Sequence, residues 1–356
     1  MKGWLCAVTA VVLLGGAGAM ADPQGATGTL GSAEYSSFGL DEPTQETVTE
    51  TETTSFSLNG PSYLLSSKPL FGDTEILWPG FLTGMRSKYS FQRKFADPMG
   101  NPLYFESPFI ESNLRFLYLW HDFPRDSQLA GGELNVIALQ ARVALTERLA
   151  FIATKDGYSW LDAGIVPDGD GWNDAAVGLK YAFWIDEARE WILTGGLRWE
   201  WHNGDRDVLM GGDAGDNELS PFLSFAKGWD RFHVLGDLVW RAPMDRNNGN
   251  HILQWDLHAD YEVAPQTLPG FFPFLEIHAL HYLSDGDQLP LSVGGLDYTN
   301  LGSYDVAGTS VFWGDLGFRW KLTPNLSFGA AYGFPISTPG NDIFNQRVTL
   351  DLIFRY

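Results

Sequence analysis

The sequence predicts an all-β fold: an antiparallel transmembrane β-barrel of about 12 strands behind a disordered N-terminal tether. Three observations predict it. Apolar and polar residues alternate with period two in run after run from residue 113 onward. The runs are about 9–13 residues long, which suits a tilted strand crossing a bilayer rather than the usual soluble strand of about 5–6. Every second connection is short, and the others are long and polar, as in barrels with turns on one side and loops on the other.

Residues 1–21 read as an export leader. Lys2 supplies a positive start, Trp4 to Leu14 an apolar run, and Ala19-Met20-Ala21 a small-residue cleavage site before Asp22. The apolar run is too short for a membrane-spanning helix, and no later stretch reaches about 18 uninterrupted apolar residues. Cys6, the one cysteine, lies in this leader. A mature chain would therefore have no disulfide, no cysteine-ligated zinc and no cysteine nucleophile.

Residues 22–57 carry the Thr/Glu tract from Asp41 to Glu52 and few large apolar groups, so a disordered tether is expected. Residues 58–112 are richer in aromatics but interrupted by Pro61, Pro69, Pro79, Pro98, Pro102 and Pro108. They read as an irregular module that packs at or inside one end of the barrel.

Residues 113–356 form the barrel. The predicted strands are 113–121, 133–145, 149–160, 174–185, 191–202, 220–228, 231–241, 251–263, 271–282, 311–322, 325–334 and 346–356. Thr146-Glu147-Arg148, Asp186 to Glu190, Gly228-Trp229-Asp230, Ala264 to Gly270 and Thr323-Pro324-Asn325 are the short turns. The loops 122–132, 161–173, 203–219, 242–250, 283–310 and 335–345 are long. An even strand count follows, with both barrel ends on the short-turn side.

The faces of each strand differ. Trp191, Leu193, Leu197, Trp199 and Trp201 oppose Thr194, Arg198, Glu200 and His202; Leu253, Trp255 and Leu257 oppose Gln254, Asp256 and His258. An Arg or Lys facing the lipid midplane costs about 2–4 kcal/mol, so the charged faces must point inward. The predicted pore-lining groups are Lys180, Arg198, Arg231, Arg241, Arg319, Lys321, Arg347 and Arg355, with Glu200, Asp237, Asp256, Asp260, Glu262, Glu276, Asp315 and Asp351. This lining either orients a polar solute by a transverse field or braces the wall by salt bridges. About eight strands leave a filled interior and 16–18 an open channel, so twelve should leave a narrow or partly plugged lumen.

The last strand alternates Val348, Leu350, Leu352 and Phe354 and ends on Tyr356. With the leader and alternating loops it resembles the Gram-negative outer-membrane β-barrel proteins over about 113–356. Phe354 and Tyr356 then correspond to the assembly signal read by the barrel-insertion machinery. The stretch Arg142 to Tyr158 looks like uncharacterised porin-like proteins, with a looser similarity to putative transporters of aromatic-degradation pathways. The resemblance implies an outer-membrane location, outer-membrane lipid as a partner and a small solute as cargo.

Other chemistry is weakly encoded. The net charge is −21, or −22 without the leader's lysine, which sets nucleic acid aside as a partner. His278, His281, Ser284, Asp285 and Gly286 depart from the H-x-S-N-G pattern of barrel phospholipases, so no catalytic residue is assigned. Loop acids gather at Asp162, Asp168, Asp170 and Asp174 and at Asp205, Asp207, Asp213, Asp216 and Glu218. Asp168 to Asp174 lacks the ordered spacing of a calcium loop, and a solvated acidic rim is expected instead. No cofactor or metal is expected. A porin-like channel or facilitator, a structural or surface-binding barrel with a sealed lumen, and a membrane-embedded hydrolase remain the functional alternatives.

Overall fold

Strands with one ionised face and one apolar face can hide both only by closing on themselves in lipid, and this chain does so. In the computed structural model, residues 89–211, 216–337 and 343–356 are described. The leader, the tether, residues 58–88 of the N-terminal module and Asp213 lie outside them.

Among the described residues, fourteen strands form one antiparallel sheet. They are β1 (Asn113–Phe123), β2 (Gly132–Ala144), β3 (Leu149–Ala153), β4 (Gly157–Ala163), β5 (Val166–Trp172), β6 (Ala175–Asp186), β7 (Trp191–Trp201), β8 (Glu218–Trp229), β9 (Phe232–Pro243), β10 (Ile252–Tyr261), β11 (Phe271–Tyr282), β12 (Ser310–Lys321), β13 (Leu326–Ser337) and β14 (Gln346–Arg355). They make a closed barrel of twelve staves. β3 and β4 lie end to end in one stave, both paired to β2. β1 closes the ring, pairing with β2 and with β14 from Asn113↔Arg355 to Asp122↔Gln346.

Two expectations are corrected in the third stave. The strand predicted over 149–160 is broken at Thr154–Asp156, where Lys155 turns inward to Glu200. The loop predicted over 161–173 instead contains β5, which extends β4 as a hairpin arm beyond the stave. A short 3-10 turn, Arg206–Val208, braces that arm, with Asp205 N–H donating to Trp172 O at 2.8 Å.

The tight turn between β8 and β9 is Asp230-Arg231, shifted C-terminally from the prediction. Asp230 has φ +60°, a left-handed conformation that a short polar side chain tolerates. Arg231 therefore projects from a turn and is exposed, lying near the Tyr261 ring. Its predicted place in the pore lining is wrong.

The outer face is apolar and banded. Trp191, Trp229, Phe271 and Trp320 lie at strand ends on the short-turn side; Trp120, Trp160, Trp201 and Trp240 lie toward the long loops. Trp191 and Trp201 bound one strand, ten residues apart. At about 3.3 Å per residue and about 40° tilt that is about 25 Å, the height of the apolar band of a membrane barrel.

Candidate functional site in the barrel lumen

Among the described residues, two segments fill the lumen. Residues 89–112 enter from the short-turn end. Their first part, a 3-10 turn at Ser90–Lys94, touches the β6–β7 turn, with Lys94 paired to Glu190. The chain rises to Tyr104 and returns, so that Ser112 O accepts from Tyr356 N–H at 3.1 Å beside β1. From the other end the loop 283–309 folds inward. Its Val293, Leu296, Tyr298 and Leu301 are buried; all but Leu301 belong to an apolar cluster with Phe123, Leu129, Leu134, Val208 and Met210. Asp297, in this cap, takes a two-pronged bond from Arg347 at 2.8 and 2.7 Å. Burial pushes the Asp297 carboxyl up, but the Arg347 guanidinium overrides it and holds it below the usual carboxylate range.

Among the described residues the segment 96–108 has no strand partner, yet its backbone polar groups are buried, so the wall must satisfy them. Wall carboxylates take its N–H groups. Ala96 N–H donates to Asp260 Oδ2 at 3.2 Å, Met99 N–H to Glu276 Oε1 at 2.9 Å and Glu106 N–H to Asp237 Oδ2 at 3.1 Å. Wall cations and amides take its carbonyls. Arg319 donates to Asp97 O at 3.2 Å, Arg115 to Pro98 O at 3.0 Å, Arg347 to Gly100 O at 3.2 Å and Gln140 to Pro102 O at 2.7 Å. Lys180 does the same for Ser107 O at 2.7 Å, and Thr194 for Pro108 O at 2.6 Å. The mixed-charge lining thus stands in for the missing ladder of hydrogen bonds.

Side-chain pairs add to this clamp. Glu106 accepts both prongs of Arg142 at 2.9 and 2.7 Å and Lys180 at 2.7 Å. Tyr104 donates at 3.0–3.1 Å to Glu200 or Glu218 and lies between the guanidiniums of Arg241 and Arg198, 4.2 and 5.1 Å from its ring centre. Arg355 pairs with Asp97 and with Glu111. Asp351 is shared by Arg115 at 2.6 Å and Arg319 at 2.9 Å within the wall.

Of the predicted lining, Lys180, Arg198, Glu200, Asp237, Arg241, Asp256, Asp260, Glu276, Asp315, Arg319, Lys321, Arg347 and Asp351 all point inward and are buried, and Arg355 is partly buried at the short-turn end. Glu262 lies just past β10, half-buried, where it accepts Gly270 N–H at 3.2 Å; it is a turn residue, not a lumenal one. Glu218, expected as a loop acid, opens β8 and faces inward to Arg241 at 3.0 Å. His233 and His258 face inward, as expected of the polar faces of their predicted strands. Arg115 and Arg142 also face inward, and their period-two place in the predicted strands was the signal that could have found them. Glu106 and Tyr104 had no such signal, because the plug has no period.

Across β9–β12 the register builds an acidic and histidine-rich wall. One row is Asp237, Asp256, His278 and Trp313; the next is His258, Glu276 and Asp315. His258 bridges Glu276 at 2.6 Å and Asp260 at 3.2 Å, and His233 meets Asp260 at 2.7 Å. Glu276, His278 and Asp315 bring one ligand atom each within 4.8 Å of one another. The sequence expectation of no metal ligands could not see this group, because Asp315 comes from a different strand.

The two small cavities lined by described residues at the cap and at the short-turn mouth measure about 20 and 10 Å³, room for about one water each. On the outer wall, Ser284 Oγ accepts His251 N–H at 3.0 Å, away from His281. His281 instead meets Ser310 at 2.8 Å and Trp255 at 3.0 Å.

No family model and no curated protein matches this chain. Solved structures do. An outer-membrane channel from Pseudomonas putida F1 is similar with a TM-score of 0.51 at 14% identity, covering 74% of this chain and 100% of that one. The NanC porin aligns with a TM-score of 0.42 at 8% identity, over 69% of this chain and 100% of that one. A KdgM porin in complex with oligogalacturonate aligns with a TM-score of 0.41 at 10% identity, over 68% and 99%. The first of these likenesses, together with the closed ring of staves, shows that the chain has the fold of an outer-membrane channel.

Proposed function

We propose that the protein is an outer-membrane channel or facilitator for small solutes, closed in this structure by residues 89–112 acting as a displaceable plug. The observation that carries the reading is the chemistry of the lining. Buried ion pairs are often no better for stability than well-packed apolar groups of the same volume. A permanently dry interior gains little from Arg115, Arg142, Arg319, Arg347, Asp256 and Asp315. A lumen that is alternately dry and wet needs walls that bind the plug and tolerate water. The plug also enters and leaves at the same end, so it can withdraw without threading the barrel.

Planar-bilayer recording tests this. Wild type should be mostly closed. Removal of residues 90–110 should raise conductance at least about tenfold, since the plug's polar contacts leave with it. An assembled deletion barrel as silent as wild type would instead support the sealed structural reading, which the inward cap 283–309 favours.

The same reading gives His281 no role as a hydrolase base. Trp255 Nε1–H can only donate, so His281 Nε2 accepts and the ring proton sits on Nδ1, facing Ser310 Oγ. A histidine in that tautomer cannot take the serine's proton.

A further inference from the structure

We propose that Glu276, His278 and Asp315 form a binding site for one zinc-type divalent ion inside the barrel, and that the ion competes there with the plug. All three side chains are fully buried. Among the described residues, His278 Nε2 and both Asp315 carboxylate oxygens make no hydrogen bond of good geometry, although His278 Nε2 and Asp315 Oδ2 lie within ion-pair range. A buried carboxylate with neither oxygen bonded is a poor end state and a good ligand. The spacing agrees with coordination. His278 Nε2 lies 3.3 Å from Glu276 Oε2 and 3.2 Å from Asp315 Oδ2. Ligand bonds of about 2.0–2.1 Å to one shared ion give ligand–ligand edges of about 3.0–3.3 Å, which both contacts match.

The groups behind the ligands fit the same assignment. His278 Nδ1 is 2.5 Å from Asp256 Oδ1, the carboxylate–histidine arrangement that aims the other ring nitrogen at a metal. His258 Nδ1 holds the second oxygen of Glu276 at 2.6 Å. One imidazole and two carboxylates suit zinc or cobalt; the set contains no thiolate for softer ions.

The plug contests this space. Gly100 N–H donates to Glu276 Oε2, and a Cβ on Gly100 would collide with the Asp315 carboxylate and His278 Nε2. An ion bonded to all three ligands occupies that same gap, so the ion and docked Gly100 exclude each other. This second half rests on residues 89–112 being a displaceable plug; the first half does not.

The test uses the full mature chain in detergent with Zn(II) and Co(II) as probes. Equilibrium dialysis with elemental analysis should find one ion per barrel. Bound Co(II) should show the intense visible bands of a four-coordinate site. His278→Gln and Asp315→Asn should abolish both signals. Asp256→Asn, which keeps every ligand, should weaken affinity about 10–100-fold. Ion uptake equal in wild type and the ligand variants would overturn the site, leaving a histidine held among carboxylates by protons alone. Saturating Zn(II) should also speed proteolysis of residues 89–112 in wild type. One bound ion with unchanged proteolysis would overturn the competition while keeping the site.

Discussion

Glu106→Gln tests how the plug is held. The carboxylate is 1% exposed and accepts three charged hydrogen bonds, two from Arg142 and one from Lys180. The substitution keeps the volume and removes the charge. Arg142 and Lys180 are then left buried without their anion, a change that costs about 3–5 kcal/mol. The amide oxygen still accepts one bond, which places the loss near the lower end, about 3 kcal/mol. With the plug withdrawn, both cations face water and the penalty vanishes, so it falls on the docked state alone. At about 1.4 kcal/mol per factor of ten, the withdrawn population rises about 100-fold. Limited proteolysis of the folded barrel reads that population directly when opening is fast relative to cleavage. Cleavage within residues 89–112 should accelerate by about the same factor, and open probability in bilayers should rise with it. Glu133→Gln, at an exposed outer-wall contact with Trp120, is the control and should change neither. An unchanged cleavage rate for Glu106→Gln, with the barrel still heat-modifiable, would refute the account of the lining as the plug's clamp.

Three further outcomes are expected. Deleting Phe354 to Tyr356 removes the pairs Leu114↔Phe354 and Asn113↔Arg355 and should leave an unassembled, protease-sensitive chain; normal insertion would remove the role given to the final strand. The folded Asp297 carboxyl is depressed, so its contribution is present above the ordinary carboxylate pKa near ~4 and is lost as pH falls through the folded value. Melting curves should therefore show acid destabilisation that Asp297→Asn flattens, and parallel pH profiles for the two proteins would contradict it. In the plug-deleted barrel, Asp256→Asn with Asp260→Asn should shift ion selectivity toward anions, and an unmoved reversal potential would place these carboxylates off the conduction path.

The sequence was informative where a period exists. Leu253, Trp255 and Leu257 against Gln254, Asp256 and His258 specify both the strand and its facing, because a charged group facing lipid is too costly to tolerate. The same logic placed most of the inward charges of the wall. It failed at Arg231 and Glu262, which continue the alternation past the point where the chain turns. It failed also at Lys155, where a break in the stave turns a side chain inward.

Residues 96–108 mark the limit of that legibility. Their backbone is held by side chains from Asp260, Glu276, Asp237, Arg115, Arg319 and Arg347, which lie on separate strands far along the chain. Nothing local records such contacts. The barrel, its strand count, its closure and the inward facing of its charges were determined by the sequence alone, because two-faced strands in lipid have one physical solution. Only the tertiary structure decided that the lumen is filled, that Glu106 and Tyr104 anchor the filling segment, and that Glu276, His278 and Asp315 converge. Those depend on which staves face one another across the lumen and on the path of an aperiodic segment between them.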